Sequence, residues 1–155
     1  MLRVKRILVP VDFSAGADAA FEYARFLAET FGAAVDVLHV VEPPRYGGAD
    51  LVLTVAGSTY ASLPDLTRAL AAREMEAFLA AHRAAGGALK ARMEVGEPAT
   101  VIARLAASDG YDLVVMGTHG RTGMAHFLMG SVAENVVRRA PCPVVTVRNR
   151  DAVAN

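Results

Sequence analysis

A glycine-spaced stretch in the second half of the chain carries the residue types that could bind a phosphate. It begins with the apolar run 113–116 (LVVM), continues as residues 117–123 (GTHGRTG), and leads through Gly130 and Ser131 into a helical pattern. Glycines allow a ligand to approach the backbone closely, and the first turn of a helix offers unpaired N–H groups with partial positive charge. The spacing predicts a strand, a loop and a helix start that together bind an anion, although these glycines could also serve only as turns.

Two common phosphate-binding fingerprints are absent from the sequence. There is no GxxxxGK[ST] segment, the lysines Lys5 and Lys90 are distant from the glycine stretch, and no GxGxxG follows the first predicted strand. A phosphate site here would therefore work mainly through backbone amides and hydroxyl groups.

The pattern Gly117-x2-Gly120-x9-Gly130-Ser131 resembles the nucleotide-binding signature of the universal stress protein family. The resemblance covers nearly the whole chain. Residues 6–14 (RILVPVDFS) resemble the family's first strand and turn, residues 96–98 (GEP) its third-helix entry, and residues 140–144 (APCPV) its last-strand entry. The resemblance implies an open parallel sheet, usually in a dimer, and the branch of the family whose glycine pattern marks ATP binding.

Alternating strand and helix patterns predict the elements that would position the glycine stretch. Short apolar or alternating runs predict strands, and apolar residues at helical spacing predict the helices between them. In the first helix this spacing selects Tyr23 and Phe31 among the core-facing residues, with Ser14 as the N-cap. The predicted strands are residues 4–11, 33–41, 89–95, 113–116 and 143–147.

This alternation favours a single α/β domain with a doubly wound five-stranded parallel sheet. The pattern itself leaves the strand order open. The resemblance implies the order 3-2-1-4-5 of adenine nucleotide alpha hydrolase-like proteins, in a domain of residues 1–150 followed by a tail of residues 151–155. Ligands bind such sheets at the carboxyl ends of the strands beside the point where the order reverses. Asp12 and the glycine stretch would then face each other across one crevice.

Composition narrows the classes of function. The chain has 155 residues, of which 54% are hydrophobic and 21% charged, as expected for one globular domain. Its 16 basic and 16 acidic residues give no electrostatic reason to expect nucleic acid or an anionic membrane as a partner. No apolar run approaches the ~20 residues that span a bilayer, residues 7–11 are too short for a signal peptide, and a lone Cys142 fits a reducing compartment. We therefore predict a cytoplasmic protein.

Residues at the predicted strand ends are candidates for contact with the base and ribose of an adenine nucleotide. Asp12 would accept a hydrogen bond from a ribose hydroxyl or help to hold Mg²⁺ near phosphates, or else it caps the following helix or solvates a turn. Pro10 and Val11 belong to the same strand end. Val40 and Met116 could be core residues or line an adenine slot, and the resemblance supports the second interpretation.

The glycine stretch and the helix after it are candidates for contact with the phosphates. Gly117, Gly120 and Gly130 would allow ribose and phosphates to approach the backbone. The amides of Ser131 and Val132, at the predicted helix start, would point at the anion.

Other residues of this region have competing interpretations. Ser131 and Glu134 match a capping box, in which Ser131 is the N-cap, and this role can coexist with phosphate contact. Arg121 would add charge-assisted hydrogen bonds to phosphates, or be a solvated surface residue. His119 is a candidate nucleotide contact, but neither it nor His126 has an assignable nucleophile or base partner for catalysis.

Together these features predict an ATP-binding stress-response regulator or sensor that acts on an unidentified protein partner, with ADP or AMP as alternative ligands. The last strand, Val144–Val147, would pair with the same strand of a second copy to form a homodimer, as the resemblance implies. Alternatives are a slow ATPase or phosphotransferase that uses the same site, and an interaction module without nucleotide. The irregular residues 42–59 are interpreted as a mobile flap over the ligand, with a subunit contact or a disordered segment as alternatives.

Overall fold

Strands and helices alternate along the chain in the computed structural model, which describes residues 3–43, 53–55, 57–60, 62–82, 89–119 and 129–149. None of the helices in these ranges combines the length and apolar character that a bilayer crossing requires. The elements are β1 Arg6–Pro10, α1 Ala15–Phe31, β2 Ala34–Val41, β3 Leu53–Val55, β4 Ser58–Tyr60, α2 Leu63–His82, β5 Leu89–Val95, α3 Pro98–Ser108, β6 Leu113–Gly117, α4 Ser131–Arg139 and β7 Val144–Val147.

Five strands form one parallel sheet in the order β5-β2-β1-β6-β7. Without the short strands β3 and β4, this is the order 3-2-1-4-5, which confirms the predicted doubly wound α/β fold. β5 and β7 are the edge strands of this sheet. The order reverses between β1 and β6, so the carboxyl ends of these two strands flank a crevice.

Apolar side chains cover both faces of the sheet. Ile7 and Val9 of β1 pack with α1 and α2, whereas Leu8 packs with α3 and α4. Successive side chains of a strand point to opposite faces, and a central strand covered on both faces therefore needs a continuous apolar run. This is why residues 7–9 are all apolar.

The structure corrects the predicted core-facing side of α1. Tyr23 and Phe31 are 44% and 53% exposed, whereas Ala17, Phe21 and Ala28 are buried. Apolar residues occur on more than one side of this helix, so spacing alone does not select its buried face. The alanines allow the helix to lie close to the sheet, which leaves bulkier rings at its flank and its end. Three other side chains that the spacing places in the core are also exposed, namely Leu63, Leu70 and Val137.

Residues 42–59 contain regular structure that the sequence did not predict. β3 and β4 pair antiparallel, with Leu53 opposite Tyr60, around a turn in which Gly57 has φ +80°. Strands of three residues are too short to give a clear alternating pattern. Residues 44–52 and 56 lie outside the described part of the chain, so the flap interpretation stays a prediction.

A polar cluster joins three segments at the amino-terminal end of the sheet, opposite the crevice. The buried carboxylate of Asp36 accepts hydrogen bonds from Nη2 of Arg6 and from the hydroxyl of Tyr111, both at 2.7 Å. The Arg6 guanidinium also lies 4.4 Å from the ring centre of Tyr111. Burial, together with the hydrogen bond to Asp36, raises the pKa of Tyr111 far above its usual value. The hydroxyl therefore remains a donor and connects β2 to the chain entering β6.

Replacing Tyr111 by Phe should lower the free energy of unfolding by about 1–3 kcal/mol, because a buried carboxylate loses one of its donors. Tyr23→Phe is the matched control, since it removes the same hydroxyl from a ring that is 44% exposed. The control should change stability by less than about 0.5 kcal/mol. Urea denaturation at neutral pH measures both variants, and equal effects would contradict the assigned role of Tyr111.

Glu97 caps the start of α3, the helix that lies beside the crevice. Its carboxylate accepts from the backbone N–H of Thr100 at 2.7 Å and of Ala99 at 3.1 Å. Pro98 occupies the first turn, as predicted. Hydrogen bonding to Thr100 is the main cause that lowers the pKa of Glu97 below its usual 4.5.

Glu97→Gln should lower the free energy of unfolding at pH 7 by about 0.3–1 kcal/mol, because it removes a negative charge from a helix start. Since the folded-state pKa of Glu97 is lowered, this stabilisation is complete above the usual pKa of 4.5 and is lost as the pH falls through the folded-state pKa. The difference between wild type and variant should therefore shrink below pH 4.5 in a series of denaturation curves. A difference independent of pH in that window would count against the charged cap.

Candidate functional site

A cavity of about 760 Å³ opens at the carboxyl ends of β1, β2 and β6, where the strand order reverses. The predicted site residues Gly120 and Arg121 lie outside the described part of the chain. All the others line this cavity: Pro10, Val11, Asp12, Val40, Met116, Gly117, His119, Gly130, Ser131 and Val132.

Further lining residues come from α2, which sequence reasoning did not connect to the site, and from the end of β2, which it did. The packing of α2 against β2 brings part of α2 into the wall, and no local motif indicates this contact. The side chains from α2 are Thr67, Leu70, Ala71, Arg73 and Glu74, and those near the end of β2 include His39, Val41 and Glu42.

One wall of the cavity is apolar. Met116 is buried, and Val40 and Val132 pack against the same apolar cluster on the α3 and α4 face of the sheet. Both interpretations of Val40 and Met116 are therefore compatible, because these residues belong to the core and also line the cavity. A flat, weakly polar ring suits such a surface.

The carboxylate of Asp12 closes the turn between β1 and α1. Its Oδ1 accepts from the N–H of Ser14 at 3.1 Å and from the Ser14 hydroxyl at 2.6 Å. Ser14 in turn accepts from the N–H of Ala17 at 3.3 Å and is the N-cap of α1, as predicted. Asp12 thus has the turn role predicted as an alternative, and it also lines the cavity.

Two of the predicted glycines are required by contacts between backbones. A Cβ atom on Gly117 would lie 3.0 Å from the carbonyl oxygen of Gly16, and one on Gly130 would lie 3.1 Å from that of Thr118. Neither glycine has a positive φ. The absence of side chains therefore serves the close approach of the first turn of α1 and of the start of α4 to the end of β6, and not a left-handed turn. Gly16 was not recognised from the sequence.

The predicted capping box at the start of α4 is wrong. Gly130 is the N-cap, Ser131 is the first helical residue, and the N-cap makes no side-chain hydrogen bond to the first turn. The N–H of Gly130 donates to the carbonyl of Thr118 at 2.7 Å, which anchors the helix start to the end of β6. α1 and α3, in contrast, begin at a side-chain cap. In the described part of the chain, the first-turn N–H groups of α4 thus stand at the cavity wall without a side-chain cap, as an anion site requires.

Comparison with known proteins assigns the chain to a family. The model of the Universal stress protein family matches residues 3–148. The chain belongs to the universal stress protein family. Universal stress protein MJ0577 of Methanocaldococcus jannaschii is 30% identical over 157 residues, which cover 96% of this chain and 97% of the relative. The solved structure of universal stress protein UspA from Lactobacillus plantarum is similar with a TM-score of 0.69 at 29% identity, covering 94% of this chain and 99% of that one.

A third universal stress protein, from Archaeoglobus fulgidus, was solved in complex with dAMP. It has a TM-score of 0.64 and 23% identity, covering 94% of this chain and 98% of that one. At this level of identity the similarity concerns the fold alone.

Ser131→Ala should leave the free energy of unfolding of this universal stress protein within about 0.5 kcal/mol of wild type, because the Ser131 side chain does not cap α4. Ser14→Ala is the matched comparison at a side chain that does cap a helix, and it should cost about 1 kcal/mol. Thermal or urea denaturation measures the change in the free energy of unfolding in the two variants. If Ser131→Ala lost as much stability as Ser14→Ala, Ser131 would be a capping residue after all.

Proposed function

We propose that this universal stress protein binds an adenine nucleotide, with ATP as the preferred ligand, in the cavity at the end of β1, β2 and β6. The observation that carries the proposal is that an apolar wall and the uncapped start of α4 line the same cavity. These two surfaces suit a flat ring and a phosphate, which an adenine nucleotide joins in one molecule. The Archaeoglobus fulgidus protein, which shares this fold, was solved with an adenine nucleotide of this class, dAMP.

The backbone at the end of β2 supports a place for the base. The N–H of Val11 donates to Leu38 at 2.8 Å, and that of Gly96 donates to Val41 at 3.1 Å. Adjacent residues of a strand direct their backbone groups to opposite neighbouring strands. Val40 therefore directs its N–H and C=O to the same side as Leu38, past the end of β1. Adenine presents an acceptor and a donor side by side, and we place that edge of the base against Val40.

The ribose and phosphates would follow the cavity from β1 towards α4. In the proposal Asp12 and Gly117 lie beside the ribose, and the amides of Ser131 and Val132 receive the phosphates. Among the described residues no cluster of His, Cys, Asp or Glu side chains could hold a metal. Mg²⁺ would therefore arrive with the phosphates, with Asp12 as its candidate ligand from the protein.

The proposed role is regulation by nucleotide, exerted as a dimer. A ligand regulates only when it binds one conformation better than another, and a partner protein would recognise that difference. β7 lies at the sheet edge with half-buried side chains. Pairing of Val144–Val147 with the same strand of a second copy would satisfy this edge symmetrically.

Ser131→Asp tests the position of the phosphates. A carboxylate at the start of α4 should weaken ATP binding at least about tenfold through charge repulsion. It should leave the affinity for adenosine within about twofold, because adenosine carries no phosphate. Ser131→Asn is the matched control of similar shape without charge, and its ATP affinity should stay close to wild type. Isothermal titration with both ligands measures these affinities.

The nucleotide content of the purified protein tests the ligand class directly. Denaturation followed by chromatography of the supernatant should release an adenine nucleotide, and turnover of ATP over hours would separate an enzyme from a sensor. Folded protein that holds and binds no ATP, ADP or AMP would refute the proposed function. Equal losses of ATP and adenosine binding in Ser131→Asp would place the phosphates elsewhere.

A further inference from the structure

Phe13 adopts a backbone conformation that is costly for its residue type. Its φ of +64° makes it the one residue other than glycine with a positive φ in the described ranges. For a residue with a bulky side chain this conformation is a genuine outlier, and it persists only where the surrounding structure holds it. Phe13 lies between Asp12 and Ser14, in the turn that borders the cavity.

Two rings hold Phe13 in this conformation. Its ring centre lies 4.5 Å from that of His39 in β2 and 6.0 Å from that of Phe78 in α2. Nδ1 of His39 is also 2.8 Å from the carbonyl oxygen of Val11. A carbonyl only accepts hydrogen bonds, so Nδ1 carries a proton and donates. His39 thus contacts the Phe13 ring and, at the same time, fixes the backbone immediately before Asp12.

The left-handed conformation of Phe13 determines where the Asp12 carboxylate can point. With Phe13 in this conformation, Ser14 reaches back with both its N–H and its hydroxyl to Oδ1 of Asp12, at 3.1 and 2.6 Å. A right-handed or extended Phe13 would turn Ser14 away and release the carboxylate from this turn. Asp12 and His39 both line the cavity.

We propose that Phe13 and His39 are positioning residues, which act through Asp12 to hold its carboxylate at the ribose end of the nucleotide site. This inference rests on the proposed function of the cavity. The Phe13 ring also contacts Phe78 of α2. The orientation of Asp12 therefore depends on how α2 packs against the sheet.

Phe13→Gly removes the ring contacts of residue 13 but still permits its positive φ. Glycine adopts positive φ without steric cost, so the turn can still form, but no ring holds it in place. Hydrogen exchange of the Ser14 amide, which donates to Asp12, should become at least about tenfold faster. Phe21→Leu is the control, because Phe21 is a buried ring that contacts Phe78 and His82 in the same cluster. It should lower overall stability without a selective change at Ser14.

A double-mutant cycle tests whether Phe13 acts through Asp12. Phe13→Gly should weaken ATP binding about tenfold in the wild-type background, but less than about twofold in the Asp12→Ala background. Losses that simply add would overturn the positioning role, since a general loosening of the cavity does not depend on Asp12. His39→Asn retains an N–H donor near the position of Nδ1 and should bind ATP more tightly than His39→Leu. Equal affinities of these two variants would remove His39 from the proposal.

Hydrogen exchange of the Ser14 amide needs no ligand, so it tests the positioning role independently of the proposed function. A wild-type protein that binds no adenine nucleotide refutes the proposed function, whereas the Ser14 amide still reports the orientation of Asp12. Unchanged exchange of this amide in Phe13→Gly overturns the positioning role of Phe13, whatever the cavity binds.

Discussion

The close approach of the starts of α1 and α4 to the end of β6 is the constraint on which the cavity depends. β1 and β6 are neighbours, but the chain leaves β1 into a helix on one face of the sheet and leaves β6 towards a helix on the other face. Gly16 and Gly117 let the first turn of α1 contact the end of β6. The hydrogen bond from Gly130 to Thr118 then anchors the start of α4 at the same place. A side chain on Gly117 or Gly130 would push apart two of the cavity walls.

The strand at the centre of the sheet is held at both ends by polar contacts. At its start, Arg6 joins Asp36 and Tyr111 in a largely buried cluster. At its end, Val11 donates its N–H to Leu38 and accepts from His39. These directional hydrogen bonds add to the apolar packing in fixing the position of one strand along the next. The carboxyl ends that form the cavity therefore stand in a defined register.

Most of the proposed nucleotide contacts come from backbone groups and small residues. This explains why the site has no P-loop lysine and why spacing of glycines, and not a charged motif, indicated it in the sequence. Gly117 and Gly130, however, are poor probes of ligand binding. Their lack of side chains serves contacts within the protein, so a substitution there would disturb the loops before it reported on any ligand. Ser131 is the sharper probe, because its side chain takes no part in capping.

Local patterns in the sequence determined the type and approximate extent of the main elements, because strand alternation and helical spacing follow from backbone geometry within a few residues. The family resemblance also implied the strand order, and together with the glycine spacing it indicated ten of the residues that line the cavity. Only the tertiary structure decided the N-cap of α4, the buried side of α1, the short hairpin, the part of α2 in the wall and the Phe13–His39 contact. Each of these depends on groups that are distant in sequence and meet only when the sheet and helices pack, so no local pattern encodes them.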